Sequence, residues 1–132
     1  MRKKICIVRS LYNEEFTLPL QSGAQLLLKK SNKVKSISKI SVPGAFEIPF
    51  AISKLIKKYD GFVAIGCILK GETANFDLIC NAITNGIMQI SIKDKKPIGN
   101  AILTCFNREQ ASQRLNKGEE AADAVLKALL IQ

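Results

Sequence analysis

The chain contains no histidine among its 132 residues. Histidine is the side chain that most often serves as a general base near neutral pH, so this absence excludes Ser–His and Cys–His nucleophile pairs and any histidine-ligated metal. The four cysteines lack C-x-x-C spacing, and three of them fall in apolar, strand-like runs. This pattern is typical of reduced thiols in a core. They are Cys6, Cys67, Cys80 and Cys105.

Long apolar runs are missing as well. No stretch approaches the length of a membrane span, and the run Ile5 to Val8 behind the basic start is too short for the core of a signal peptide. We therefore expect a cytoplasmic protein. A length of 132 residues with 47% hydrophobic and 23% charged residues predicts a single domain, residues 1–132, with a sizeable core.

Basic residues outnumber acidic ones by 20 to 11, which gives a formal charge of +9. Most of the basic residues are scattered lysines without interleaved aromatic residues, so they indicate solvated faces and neither a nucleic-acid nor a membrane partner. The excess of positive charge would also help to attract anionic substrates.

Strand and helix patterns alternate four times along the chain. Apolar or alternating runs predict strands over residues 4–8, 35–42, 61–69 and 98–105. Helical spacing predicts helices over residues 14–30 and 45–58, one from Phe76 onward, a short one over 107–114, and a last one after a capping box at 116–119. This order predicts a three-layer αβα fold around a four-stranded parallel sheet of flavodoxin-like strand order.

Ligands of such sheets bind outside the carboxyl ends of the strands. Residues 66–77 run from a buried strand through a glycine turn into a helix start with the capping residue types Thr73 and Asn75, an arrangement that favours anions. With Arg114 beyond the fourth strand, a polar heterocycle and a phosphate could be held side by side. The four strand ends are residues 10–13, 43–47, 70–75 and 105–107.

Five stretches then carry a specific resemblance. They are VPGAFEIPFA (42–51), GCILKGETANFD (66–77), CNAITNGIMQ (80–89), EQASQR (109–114) and NKGEEAA (116–122). In order and at nearly the same spacing, these stretches resemble the motifs of lumazine synthase, the enzyme of the penultimate step of riboflavin synthesis. The resemblance covers most of the chain from Lys4 onward.

The resemblance implies a binding site for 5-amino-6-ribitylaminouracil. Tyr12 matches the family's aromatic residue that stacks on the pyrimidine, and Asn13 follows it as in the family. Two further segments match those that hold this substrate, and Glu47 would accept hydrogen bonds from its ribityl hydroxyls. The segments are Ala45, Phe46 and Glu47, and Cys67, Ile68 and Leu69.

The resemblance also implies a site for the phosphate of the second substrate. Glu72 and Thr73 match the turn that binds this phosphate, and Arg114 matches the arginine that clamps it. Arg108 is an alternative for the clamp, and Lys117 matches the lysine of the NKG motif. Three of the matched residues also have an ordinary structural explanation: a half-buried ring at a strand end for Tyr12, a first-turn carboxylate that serves the helix dipole for Glu47, and a solvated helix end for Arg114.

Three departures from the family stand out. The usual N-terminal extension is missing, because the chain begins almost at the first strand. A single residue separates Arg114 from Asn116 where the family usually has several more, which alters the approach of Arg114 and Lys117 to the site. The family's catalytic histidine falls on Asn75, and the aromatic residue contributed by a neighbouring subunit falls on Asn100.

The implied reaction condenses 5-amino-6-(D-ribitylamino)uracil with 3,4-dihydroxy-2-butanone 4-phosphate to 6,7-dimethyl-8-ribityllumazine and releases phosphate and water, without a metal or organic cofactor. The alternatives are a weakened homologue that binds lumazine or flavin, and a purely structural shell protein.

The resemblance implies pentamers with sites between subunits, and riboflavin synthase as a partner. The missing extension favours a pentamer or decamer over a sixty-subunit shell. We expect the apolar stripe Ile79, Ile83 and Ile87 to supply the contact surface.

Overall fold

A four-stranded, all-parallel sheet forms the centre of the molecule. The computed structural model describes residues 1–72 and 74–132. The strands are β1 (Lys3–Ser10), β2 (Val34–Val42), β3 (Gly61–Leu69) and β4 (Ile98–Cys105), in the order β2-β1-β3-β4. The predicted parallel sheet and its flavodoxin-like order are therefore confirmed.

Helices cover both faces of this sheet. They are α1 (Glu14–Lys30), α2 (Ile48–Leu55), α3 (Phe76–Asp94), α4 (Arg108–Ser112) and α5 (Lys117–Ala128). Buried residues of α1, α4 and α5 pack on one face, and those of α2 and α3 pack on the other. All nine residues of β3 are buried, because two strands flank it and helices cover both of its sides.

The second predicted helix is wrong at its start. Residues Ala45–Glu47 form a 3-10 turn, and the α-helix begins only at Ile48. Pro49 lies in the first turn of α2, where its missing N–H costs no helical hydrogen bond. The tighter turn before it lets the chain leave the extended Gly44 without a long loop.

The predicted capping box at the start of α5 is also wrong. Asn116 already has helical dihedral angles, and its side chain caps no backbone N–H. The backbone N–H of Lys117 donates to the carbonyl of Arg114, so the chain is turning before the helix begins. Helix α4 is capped instead, since the side-chain oxygen of Asn107 accepts from the Gln110 N–H at 2.9 Å.

The apolar stripe of α3 does not provide contact surface as expected. Ile83 and Ile87 are buried against the sheet, and Ile79 is partly buried. The apolar side chains that α3 does expose are Leu78, Met88 and Ile92, on its other side. The helical period was right, but the sheet itself covers the stripe.

None of the helices in residues 1–72 and 74–132 combines the length and apolar composition needed to cross a membrane.

Close packing of α1 against α5 depends on one glycine. A Cβ atom added at Gly118 would lie 2.1 Å from the Leu20 carbonyl oxygen, whereas one added at Gly23 would lie 3.7 Å from its nearest neighbour. We expect Gly118→Ala to lower the free energy of unfolding by about 1–3 kcal/mol, because backbone must move to admit the methyl group.

Gly23→Ala is the matched control for this prediction. It lies within α1, where alanine favours helix, so we expect an unchanged or slightly higher stability, by up to about 1 kcal/mol. Urea denaturation followed by circular dichroism measures both variants. Equal stabilities of the two variants would contradict the proposed close approach.

Candidate active site

A cavity of about 170 Å³ opens at the carboxyl ends of β1 and β3. In this strand order the chain reverses its direction of travel across the sheet between these two strands, which is where ligands of such folds bind. Segments that follow three of the four strands contribute to it. It is lined by Tyr12, Asn13, Gly44, Ala45, Phe46, Cys67, Ile68, Leu69, Glu72 and Ile79.

Asn13 ties two of these segments together. Its backbone is left-handed (φ 62°, ψ 48°), a conformation that asparagine adopts more readily than most residues. Its side-chain Nδ2 donates to the Cys67 carbonyl oxygen at 2.9 Å and to Glu72 Oε1 at 3.1 Å. The loop after β1 is thereby held to the end of β3 and to the turn that follows.

Two aromatic rings stand at the mouth of the cavity. The Tyr12 and Phe46 residues are 58% and 63% exposed, and both line the cavity. The Tyr12 backbone N–H donates to the Pro43 carbonyl at 3.2 Å, which fixes the loop that carries its ring. Rings in this position can stack on a planar heterocycle.

Charged groups flank the cavity on the side of Glu72. Arg108 Nη1 lies 3.5 Å from Glu72 Oε2, and Arg108 Nη2 pairs with Glu15. The guanidinium carbon lies 5.5 Å from the centre of the Phe16 ring. One arginine thus contacts the turn after β3 and the first turn of α1.

Five predicted site residues do not line this cavity. Among them, Glu47 is adjacent, and its Oε1 accepts a hydrogen bond from the Gly44 N–H at 2.9 Å. Asn75 precedes α3 and makes no side-chain capping bond. It borders a separate open depression of about 480 Å³ that Lys70 and Asp77 also line.

The other three belong to the β4 side of the molecule. Asn100 pairs in register with Ala64, three residues before Cys67, so about 10 Å of strand separates it from the level of the cavity. Arg114 Nη1 lies 4.0 Å from the Cys105 sulfur at the end of β4, and Lys117 begins α5. Thr73 lies outside the described residues.

Two residues that line the cavity were not predicted as site residues. Gly44 was included only within the strand end 43–47, and Ile79 only within the apolar stripe expected to supply contact surface. The helical period marks Ile79 as inward-facing, but it does not tell a core contact from the inner wall of a cavity.

The lysine-rich helix ends do not surround this site. Helices run antiparallel to the strands they cover, so their lysine-rich carboxyl ends lie at the opposite end of the sheet. Contacts there include the Lys3 N–H with the Lys33 carbonyl and Lys96 Nζ with the Ile56 carbonyl at 2.6 Å. These lysines therefore place no positive charge next to the site, and attraction of anions by the net charge stays a prediction.

Within the described parts of the chain, no three Cys, Asp or Glu side chains cluster in a way that could hold a metal ion. The polar side chains among the described residues that line the cavity belong to Tyr12, Asn13, Cys67 and Glu72.

Cys67 contributes an uncharged thiol to the wall of the cavity. Burial raises its pKa from 9.0 to about 12, and the nearby Cys105 and Glu72 add to this shift. At pH 8 its thiolate fraction is therefore far below that of an ordinary thiol. Burial also raises the pKa of Cys80, but that side chain is only partly buried.

We expect iodoacetamide at pH 8 to alkylate Cys80 well before Cys67, because the thiolate is the reacting species and Cys67 is both buried and protonated. Mass spectrometry of timed digests measures both rates. Alkylation in guanidinium chloride is the control, in which the two cysteines should react at similar rates. Equal rates in the folded protein would contradict this prediction.

Comparison with known proteins gives a consistent result. The family model described as 6,7-dimethyl-8-ribityllumazine synthase matches residues 2–132. The chain is 41% identical to the 6,7-dimethyl-8-ribityllumazine synthase of Cytophaga hutchinsonii, over 93% of this chain and 82% of that protein. It is 42% identical to that of Leuconostoc mesenteroides, over 98% and 88%. On this evidence the chain belongs to the 6,7-dimethyl-8-ribityllumazine synthase family.

Proposed function

We infer that the protein is a lumazine synthase of riboflavin biosynthesis. It joins 5-amino-6-(D-ribitylamino)uracil to 3,4-dihydroxy-2-butanone 4-phosphate and releases 6,7-dimethyl-8-ribityllumazine, phosphate and water. The observation that carries this inference is the cavity at the ends of β1 and β3. Separate family motifs supply its walls, and these walls suit a planar, polar heterocycle.

We propose that the cavity binds the pyrimidine. The Tyr12 ring would stack on the heterocycle at the mouth, with Ile68 and Leu69 as an apolar wall. Asn13 is held rigidly by its two hydrogen bonds, so the backbone around it needs no rearrangement when substrate enters. Because Glu47 Oε1 is bound to Gly44, its other oxygen would accept from the ribityl hydroxyls.

The chemistry asks mainly for positioning. The 5-amino nitrogen attacks the ketone carbonyl and water leaves; phosphate departs by elimination; then the ribitylamino nitrogen closes the ring and a second water leaves. Holding two reactants in register lowers the activation barrier by about 7–11 kcal/mol. A general acid or base accelerates a reaction about 10²–10⁴-fold, which corresponds to roughly 3–5 kcal/mol. A site without histidine therefore retains the larger part of the rate enhancement.

We propose that Asn75 orients an intermediate at the position of the family histidine without exchanging protons. An amide donates and accepts hydrogen bonds but does not titrate near neutral pH. Proton transfers would then fall to water, to the substrate phosphate, or to the carboxylates Glu47 and Glu72.

We further propose that a second copy of the chain completes the site. A cavity of about 170 Å³ is smaller than the roughly 300–1,000 Å³ of ordinary ligand sites. The predicted residues Asn100, Arg114 and Lys117 lie around the edge strand β4 of the same chain instead. If the β4 edge of one copy lies against the cavity mouth of the next, Asn100, Arg114 and Lys117 come next to the residues that line the cavity. Arg114 can then clamp the phosphate.

Such contacts repeat head to tail and close into a ring, for which we propose a pentamer. Exposed apolar side chains on one side of the molecule support a protein contact there. They are Phe46, Phe50, Leu78, Met88 and Ile92.

The four free cysteines, three of them buried, agree with a reducing compartment, and we propose the cytoplasm. Riboflavin synthase remains a proposed partner.

The first test measures activity and the role of Asn75. Mixing both substrates should give the lumazine absorbance with the wild-type protein. Asn75→His should raise kcat by about tenfold or more and add a pH dependence near 6.5, because histidine exchanges protons there. Asn75 is exposed and its side chain makes no capping bond, so the variant should fold.

Asn32→His provides the control, since it adds the same exposed side chain at the opposite end of the sheet. It should leave both rate and pH profile unchanged. No product from the wild-type protein would favour the binding or shell alternatives. An unchanged rate and pH profile for Asn75→His would mean that the position has lost contact with the chemistry.

The second test concerns assembly. Sedimentation velocity should give the mass of five copies of the 14.5 kDa chain. Ile92→Lys should dissociate this assembly, because it places a charge on the exposed apolar surface of α3. Leu130→Lys is the control at an exposed position beyond α5. A monomeric wild-type protein, or an Ile92→Lys variant that stays assembled, would contradict the proposal.

A further inference from the structure

The proposed phosphate site contains a carboxylate. Glu72 lines the cavity, and it belongs to the turn in which the phosphate of the ketone substrate is proposed to bind. An ionised carboxylate there would repel a phosphate dianion, and the lysines at the opposite end of the sheet are too far away to offset this repulsion. Lys70 lies two residues before Glu72, but its Nζ is placed over the Phe106 ring, 5.2 Å from the ring centre. Another local cation is therefore needed to neutralise Glu72.

Arg108 supplies that cation. Its Nη1 lies 3.5 Å from Glu72 Oε2, while Glu72 Oε1 accepts the hydrogen bond from Asn13. The carboxylate is therefore held from both sides, by an amide inside the cavity and by a guanidinium outside it. Arg108 itself is not among the residues that line the cavity.

The guanidinium is held in place by its surroundings. It pairs with Glu15 and lies over the Phe16 ring, both in the first turn of α1. Its backbone begins α4, where Gln110 Oε1 accepts from the Phe106 N–H at 2.8 Å and Asn107 caps the helix. Arg108 therefore connects the segments that follow β1, β3 and β4.

We propose that Arg108 is a positioning residue that acts through Glu72. It neutralises the carboxylate and keeps Oε1 turned toward Asn13, so that the turn admits the substrate phosphate. This proposal rests on the proposed function, because it assigns the phosphate of the ketone substrate to this turn. It differs from a direct clamp, for which Arg108 would leave Glu72 and bind the phosphate itself.

A double-mutant cycle separates these two roles. Arg108→Gln removes the charge, and Glu72→Gln removes the carboxylate but keeps an oxygen that can accept from Asn13. If Arg108 acts through Glu72, its loss matters only while Glu72 is charged. If Arg108 binds phosphate directly, its loss matters equally in both backgrounds.

The measurements are the KM values for the two substrates and the Kd for inorganic phosphate by titration calorimetry. Arg108→Gln should raise the ketone-phosphate KM and the phosphate Kd about threefold to tenfold, a modest effect because Arg108 is more than half exposed. The pyrimidine KM should not change. The effect should shrink in 0.5 M salt, which screens the exposed charges.

In the Glu72→Gln background, Arg108→Gln should have no further effect on either constant. Arg2→Gln is the control, since it removes the same charge at the opposite end of the sheet, where Arg2 donates to the Val34 carbonyl. It should leave both constants unchanged. Thermal melting of each variant shows whether the fold is retained.

An equal loss in both backgrounds, or no loss in either, would overturn the proposal. If the wild-type protein binds phosphate with the expected cycle but forms no lumazine, the proposed function fails and the role of Arg108 stands. If it forms lumazine without coupling between the two residues, the role of Arg108 fails and the function stands. If it neither forms lumazine nor binds phosphate, both fail.

Discussion

Burial of β3 on both faces is the constraint on which the rest of the molecule depends. A strand with nine buried residues must have neighbours at both edges and helices on both sides, and parallel strands joined by helices satisfy this requirement. Parallel strands in turn place all carboxyl ends at one edge of the sheet. The loops after β1, β2 and β3 therefore meet there, and their side chains form a cavity although they are far apart in the sequence.

The same geometry places acidic and basic side chains of the helices at opposite ends of the sheet. Helices begin at the edge where strands end, and acidic residues favour helix starts while basic residues favour helix ends. Glu14, Glu15 and Asp77 accordingly lie at the cavity end, and the lysines of α1, α2 and α3 lie at the other. A net charge of +9 thus coexists with a site that has few cations beside it, among them Arg108 and Lys70.

The absence of histidine agrees with a reaction that needs positioning more than proton transfer. The structure supplies rigid anchors at the cavity: the left-handed Asn13 with its two hydrogen bonds, and Glu47 closed onto Gly44. These contacts fix the backbone before any substrate arrives, so binding requires little reorganisation. The family of 6,7-dimethyl-8-ribityllumazine synthases includes this chain, which has no histidine.

The sequence by itself determined the strands, their parallel order and the family. Strand β3 was predicted to the residue, because a doubly buried strand has an unbroken apolar run, and motifs such as GCILKGETANFD are local in sequence. Only the tertiary structure decided which polar groups meet. The pairing of Arg108 with Glu15 and Glu72 joins the segments that follow β1, β3 and β4. The burial of Ile83 and Ile87 depends on how α3 lies against the sheet. Local patterns encode backbone and burial period, whereas contacts between distant loops depend on the geometry of the whole sheet.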